Sequence, residues 1–76
     1  MNAVENGLRL RTLRGDRSAK IVADAVNISE SALLMYERGE RNPRDDVKIR
    51  LAEYYKVGVG TIFYPQHFTN SELREE

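Results

Sequence analysis

Apolar positions recur along this chain at helical spacing in five short stretches, each bounded by glycine, asparagine or proline. Over residues 4–14, Leu10 and Leu13 stand three apart and face inward, Arg9 and Arg11 face solvent, and Gly15-Asp16 ends the helix. A second helix runs from about Ser18 to Ala25 with Val22 and Ala23 on its buried face. A third runs from Ser29 to Arg38 with Leu33 and Tyr36 three apart, and Gly39 stops it. Asn42-Pro43 then favours a turn, and Asp45-Asp46 suits the start of a fourth helix, where carboxylates meet the positive end of the helix dipole. On that helix Val47, Leu51 and Tyr55 form a four-residue stripe with Ala52 beside it, a face expected to close the core. Lys56-Val57-Gly58 interrupts, and Val59, Ile62 and Phe63 predict a short fifth helix ending before Pro65. Gly58 and Gly60 weaken it by about 1 kcal/mol each relative to alanine.

The pattern predicts an all-α, compact five-helix domain over residues 1–64. Residues 65–76 form a C-terminal tail with no strong pattern, frayed or disordered by default or used for dimerisation.

The junction between the second and third helices is the most informative segment. Ser18 to Gly39 reads as two short amphipathic helices joined by a turn too tight for an ordinary loop, a helix-turn-helix. Ala23 is small where the helices must cross closely. Asn27 occupies the position that needs a positive φ, which Asn tolerates, and Ser29 fits as the N-cap of the helix that follows.

These residues resemble the helix-turn-helix of the phage Cro/repressor family, also called the XRE family. Its pattern of a leading Ser, an aliphatic-Ala pair, a three-residue turn and an aromatic-Glu-x-Gly ending stands here as Ser18, Val22-Ala23, Asn27-Ile28-Ser29, Leu33 and Tyr36-Glu37-Arg38-Gly39. Asn42-Pro43, Leu51-Ala52 to Val57, and Ile62-Phe63 extend the likeness, so that it covers roughly residues 8–64. The resemblance implies a lambda-repressor-like fold and a sequence-specific DNA-binding regulator of transcription, a repressor on a roughly palindromic operator, acting as a homodimer.

It also implies which residues touch DNA. The third helix is the one that enters the major groove, which puts Ser29, Glu30, Ser31 and Ala32 at base edges, with Leu34 and Met35 further along. Glu30 suits cytosine N4, Ser29 and Ser31 suit bases or phosphate, and Ala32 suits a thymine methyl group. Ser29 has a second reading as a helix cap alone, and Leu34 and Met35 as a protein contact surface or peripheral core. Arg17, Lys20, Arg38, Arg41, Asn42 and Arg44 lie where the family grips phosphates on either side of the groove. Arg14 matches an arginine that the family pairs with the glutamate at Glu37, locking the third helix to the first.

Some positions depart from the pattern. Ala19 stands where Gln is usual, Ile21 replaces a polar residue, and the third helix has no Arg, Lys, Asn or Gln before Arg38. Ile21, Leu34 and Met35 together suggest an exposed apolar patch. Lys56 stands where Gly is usual and Gly58 where Ser or Thr is usual, so a differently built turn is expected there.

Composition narrows the alternatives. The chain has 76 residues, no cysteine and a single histidine, His67, so neither a disulfide framework nor a metal site is expected. Asn27-Ile28-Ser29 matches a glycosylation acceptor only formally. No signal-like or membrane-spanning apolar run is present, and a cytoplasmic protein is expected. No nucleophile-base pair, glycine-rich phosphate loop or ligand cluster points to an enzyme, a cofactor or a small-molecule ligand.

The formal net charge is zero, with 12 basic and 12 acidic residues, but unevenly distributed. Arg9, Arg11, Arg14, Arg17 and Lys20 crowd the first part, while Glu72, Glu75 and Glu76 gather at the end. The alternative function is a protein-interaction module of the same fold, an anti-repressor or antitoxin whose main partner is a protein. Tyr54, Val59, Phe63, Tyr64, Phe68 and Leu73 offer surface for self-association. Phe63 and Tyr55 have a second reading as core.

Overall fold

A computed structural model describes residues 2–64. Its helices are α1 (Ala3–Arg14), α2 (Ala19–Ala25), α3 (Glu30–Arg38), α4 (Asp45–Tyr55) and α5 (Val59–Phe63), with no strand among the described residues. Side-chain oxygens start the first three helices. Asn2 Oδ1 accepts from the Val4 and Glu5 amides, Ser18 Oγ from Lys20 and Ile21, and Ser29 Oγ from Ala32 at 3.0 Å.

The same device ends α2, α3 and α4. Beyond each helix one residue takes a positive φ, and the next amide reaches back five residues to a carbonyl: Ile28 to Ala23 at 2.9 Å, Glu40 to Met35 at 2.9 Å, Val57 to Ala52 at 3.0 Å. The left-handed residues are Asn27 (φ 62), Gly39 (φ 77) and Lys56 (φ 61). The turn after α4 is therefore not built differently, as the missing glycine suggested. Lysine is held in the conformation that glycine favours.

Leu10, Val22, Ala23, Leu33, Leu51, Ile62 and Phe63 are almost wholly buried and draw all five helices onto one core. Phe63 is thus a core residue, while Leu13, Leu34 and Tyr55 are partly buried against that core. α1 and α3 approach most closely. A Cβ on Gly7 would stand 2.6 Å from the Tyr36 carbonyl oxygen and nearer still to that of Glu37, and one on Gly39 would stand 2.8 Å from Val4 Cα. Only hydrogen fits between the backbones at Gly7, which accounts for a glycine inside a helix.

Arg9 does not face solvent as its place in the pattern suggested. It is half-buried, its Nε donates to the Ile62 carbonyl at 2.6 Å, and its Nη2 donates to Asn6 Oδ1 at 2.7 Å. It thereby satisfies a carbonyl that the short α5 leaves without an intrahelical donor.

Candidate nucleic-acid interface

The placement of α3 decides what it can offer a ligand. Its C-terminal half is fastened to α1 through the close approach at Gly7 and through Arg14, whose Nε and Nη2 donate to Glu37 Oε2 and Oε1 at 2.7 and 3.0 Å. The Arg14 and Glu37 side chains are only 12% and 4% exposed, so this fork is a buried pair of the kind that the motif implied. The hydrogen bond that Arg14 donates to Glu37 raises the Arg14 pKa above its ordinary value, against the opposing pull of desolvation. Arg14 Nη1 also donates to the Arg17 carbonyl at 2.8 Å, fixing the link into α2.

With one end so held, the other end of α3 faces outward. Ser29, Glu30 and Ser31 are exposed, Ala32 and Met35 are half-buried, and Leu33 is fully enclosed. Ser29 acts as the helix cap, which leaves its hydroxyl on the exposed edge with one lone pair engaged. At the far end, Arg38, Arg41, Asn42 and Arg44 are all exposed within a short run of chain. A nine-residue helix is about 14 Å long, so α3 spans a polar, weakly acidic tip and a cluster of arginines.

The remaining candidates sit differently. Lys20 is exposed and lies 3.3 Å from Asp24. Arg17 is exposed but already engaged. Its Nη1 donates to the Leu13 carbonyl at 2.7 Å, and its guanidinium lies 5.8 and 5.6 Å from the ring centres of Tyr54 and Tyr55. Ala19 is nearly buried, so packing occupies the position where the pattern usually carries glutamine. Of the suggested apolar patch only Ile21 stands well out, at 63% exposed, whereas Leu34 packs against the core.

Sequence reasoning missed several residues that fix how the helices pack. Gly7 and Asn6 are buried in α1, and Arg50 Nε donates to the Val26 carbonyl at 2.8 Å, tying α4 to the end of α2. Gly7 had a legible signal: a glycine inside a helical pattern is costly unless something approaches closely. Arg50 had none, because its partner is a backbone atom distant in sequence. Among the described residues no group of His, Asp or Glu could hold a metal ion, and no helix is long and apolar enough to cross a membrane.

Two helices joined by a left-handed asparagine, with the second lodged by its C-terminal end and open at its start, define a helix-turn-helix protein. A family model described as a helix-turn-helix domain matches residues 5–61, and the chain belongs to that family. No curated protein and no solved structure matches it significantly. The matched span agrees with the extent of the Cro/repressor-like resemblance. Domains of this kind bind DNA and are typically not enzymes, so DNA is the partner that the match implies.

Proposed function

We propose that this protein is a sequence-specific transcriptional repressor that occupies a roughly palindromic operator as a homodimer in the cytoplasm. The observation that carries the reading is the exposed start of α3, Ser29 to Ser31, together with the exposed Arg38, Arg41 and Arg44 beyond its other end. Glu30 would accept from cytosine N4, Ser31 would read a base edge or phosphate, and Ala32 and Met35 would make apolar contact in the groove. The arginines, Asn42 and Lys20 would grip phosphates and set the register, and Arg17 would support that grip from its aromatic seat. Residues 1–64 would serve as the DNA-binding unit.

Self-association has support in an apolar groove between α1 and α5, about 360 Å³ in volume and lined by Leu8, Leu13 and Ile62. Leu8 is 61% exposed at this groove. Phe68 and Leu73, the tail positions expected to contribute, lie outside the described residues, as does His67.

Alanine substitution tests the assignment. Arg41→Ala is expected to weaken binding to every duplex alike and to reduce the dependence of log K on log salt by about one. Glu30→Ala is expected to alter preference among sequences more than overall affinity. Equal loss on specific and scrambled duplexes for Glu30→Ala would remove it from base reading. Ile21 favours a second reading, a module whose main partner is a protein. That reading predicts Ile21→Asp to abolish capture of the partner while binding to duplex DNA stays negligible throughout.

A further inference from the structure

Two carboxylates stand where helix electrostatics disfavours them. Asp24 lies in the last turn of α2 and Glu40 follows the end of α3, so both sit at the negative ends of helix dipoles. Each is within ion-pair distance of a cation assigned above to phosphate: Lys20 Nζ to Asp24 Oδ2 at 3.3 Å, Arg38 Nη1 to Glu40 Oε1 at 3.6 Å. All four side chains are more than half exposed, and pairs of that kind contribute little to folding. The Lys20–Asp24 order along the helix is also the weaker of the two arrangements for such a pair. Helix electrostatics therefore favours neither carboxylate at its position.

Asp46 differs. It pairs with Arg44 at 3.7 Å but also with Arg50 at 3.2 Å, and it stands in the first turn of α4, where a negative charge is favoured. Its position is explained without DNA.

We infer that Asp24 and Glu40 are specificity-determining residues that restrain binding to the DNA backbone by occupying Lys20 and Arg38 in the free protein and repelling phosphate in the complex. Resting on the DNA-binding reading above, this assigns them the task of holding down sequence-independent affinity. A regulator whose cations were all free would be held by any phosphate backbone, because that term does not distinguish sequences. With the cations answered by local carboxylates, binding depends more on what α3 meets in the groove.

The test uses the full chain and a scrambled duplex, with affinity followed by fluorescence anisotropy over a salt series. Asp24→Asn and Glu40→Gln are each expected to tighten binding on the order of fivefold at near-physiological salt and to steepen the salt slope by about one. Glu53→Gln makes the same change in net charge at an exposed position of α4 that has no side-chain partner among the described residues, and is expected to alter neither quantity. The inference is overturned if Asp24→Asn and Glu40→Gln leave affinity and slope unchanged while Arg41→Ala still weakens binding. It is equally overturned if Glu53→Gln tightens binding as much as they do, since net charge alone would then be responsible. Absence of any duplex binding by the parent and every variant would overturn the DNA-binding reading and this inference together.

Discussion

Lys56, Asn27 and Gly39 make the same turn with different side chains, which isolates the cost of the left-handed conformation. A non-glycine residue there is strained by about 1–2 kcal/mol, and asparagine is the usual exception. Lys56→Gly is therefore expected to stabilise the domain by about 0.5–1 kcal/mol, after the greater flexibility of glycine in the unfolded chain is deducted. Urea unfolding would show a higher midpoint at unchanged slope.

Tyr55 supplies a second prediction. Its hydroxyl is buried without a hydrogen-bond partner, and burial, reinforced by the nearby negative Glu37, pushes its pKa from 10.0 up to about 12. The folded state thus holds its proton more tightly than the unfolded chain does. Its contribution is complete below pH 10 and is lost as pH rises toward 12. Tyr55→Phe should remove that part of the alkaline loss and leave stability at neutral pH unchanged or slightly higher, as thermal melts from pH 7 to 11 would reveal.

Among the elements, the α1–α3 junction determines whether α3 is presented at all. Gly7→Ala places a methyl group against the Glu37 and Tyr36 carbonyls, and neither backbone can yield without separating the helices. A loss of about 3 kcal/mol or more is expected, or failure to fold, measured by denaturant titration. Glu37→Gln leaves the part-buried Arg14 guanidinium facing a neutral amide and should cost about 1.5–3 kcal/mol. Wild-type stability in that variant would mean that the fork is not what holds α3.

The helices themselves were legible in the sequence because each combines a stripe such as Leu33/Tyr36 with a local stop or start such as Gly39 or Ser18. The Arg14–Glu37 lock was legible through the family resemblance alone. The ties made by Arg9 and Arg50 were not. An arginine on a helix reads as solvated until its backbone acceptor, 53 or 24 residues away, is placed beside it. The same limit explains Ala19, whose burial follows from how α2 packs and not from its neighbours in the chain.

For the whole molecule, zero net charge and DNA binding are reconciled by where the charges stand. Arg41 has no hydrogen-bond or ion-pair partner among the described residues, while Lys20 and Arg38 each have a carboxylate at hand. The protein should consequently bind random duplex weakly and rely on the outer end of α3 for the rest of its affinity. The most direct check is to titrate the full chain into labelled duplex from its own upstream region and into a scrambled duplex, at low and near-physiological salt, following anisotropy. Binding to the native duplex that survives the higher salt, with loss of binding to the scrambled one, is the predicted result. Equal, salt-labile binding to the two duplexes, or binding to neither, would contradict a sequence-specific regulator.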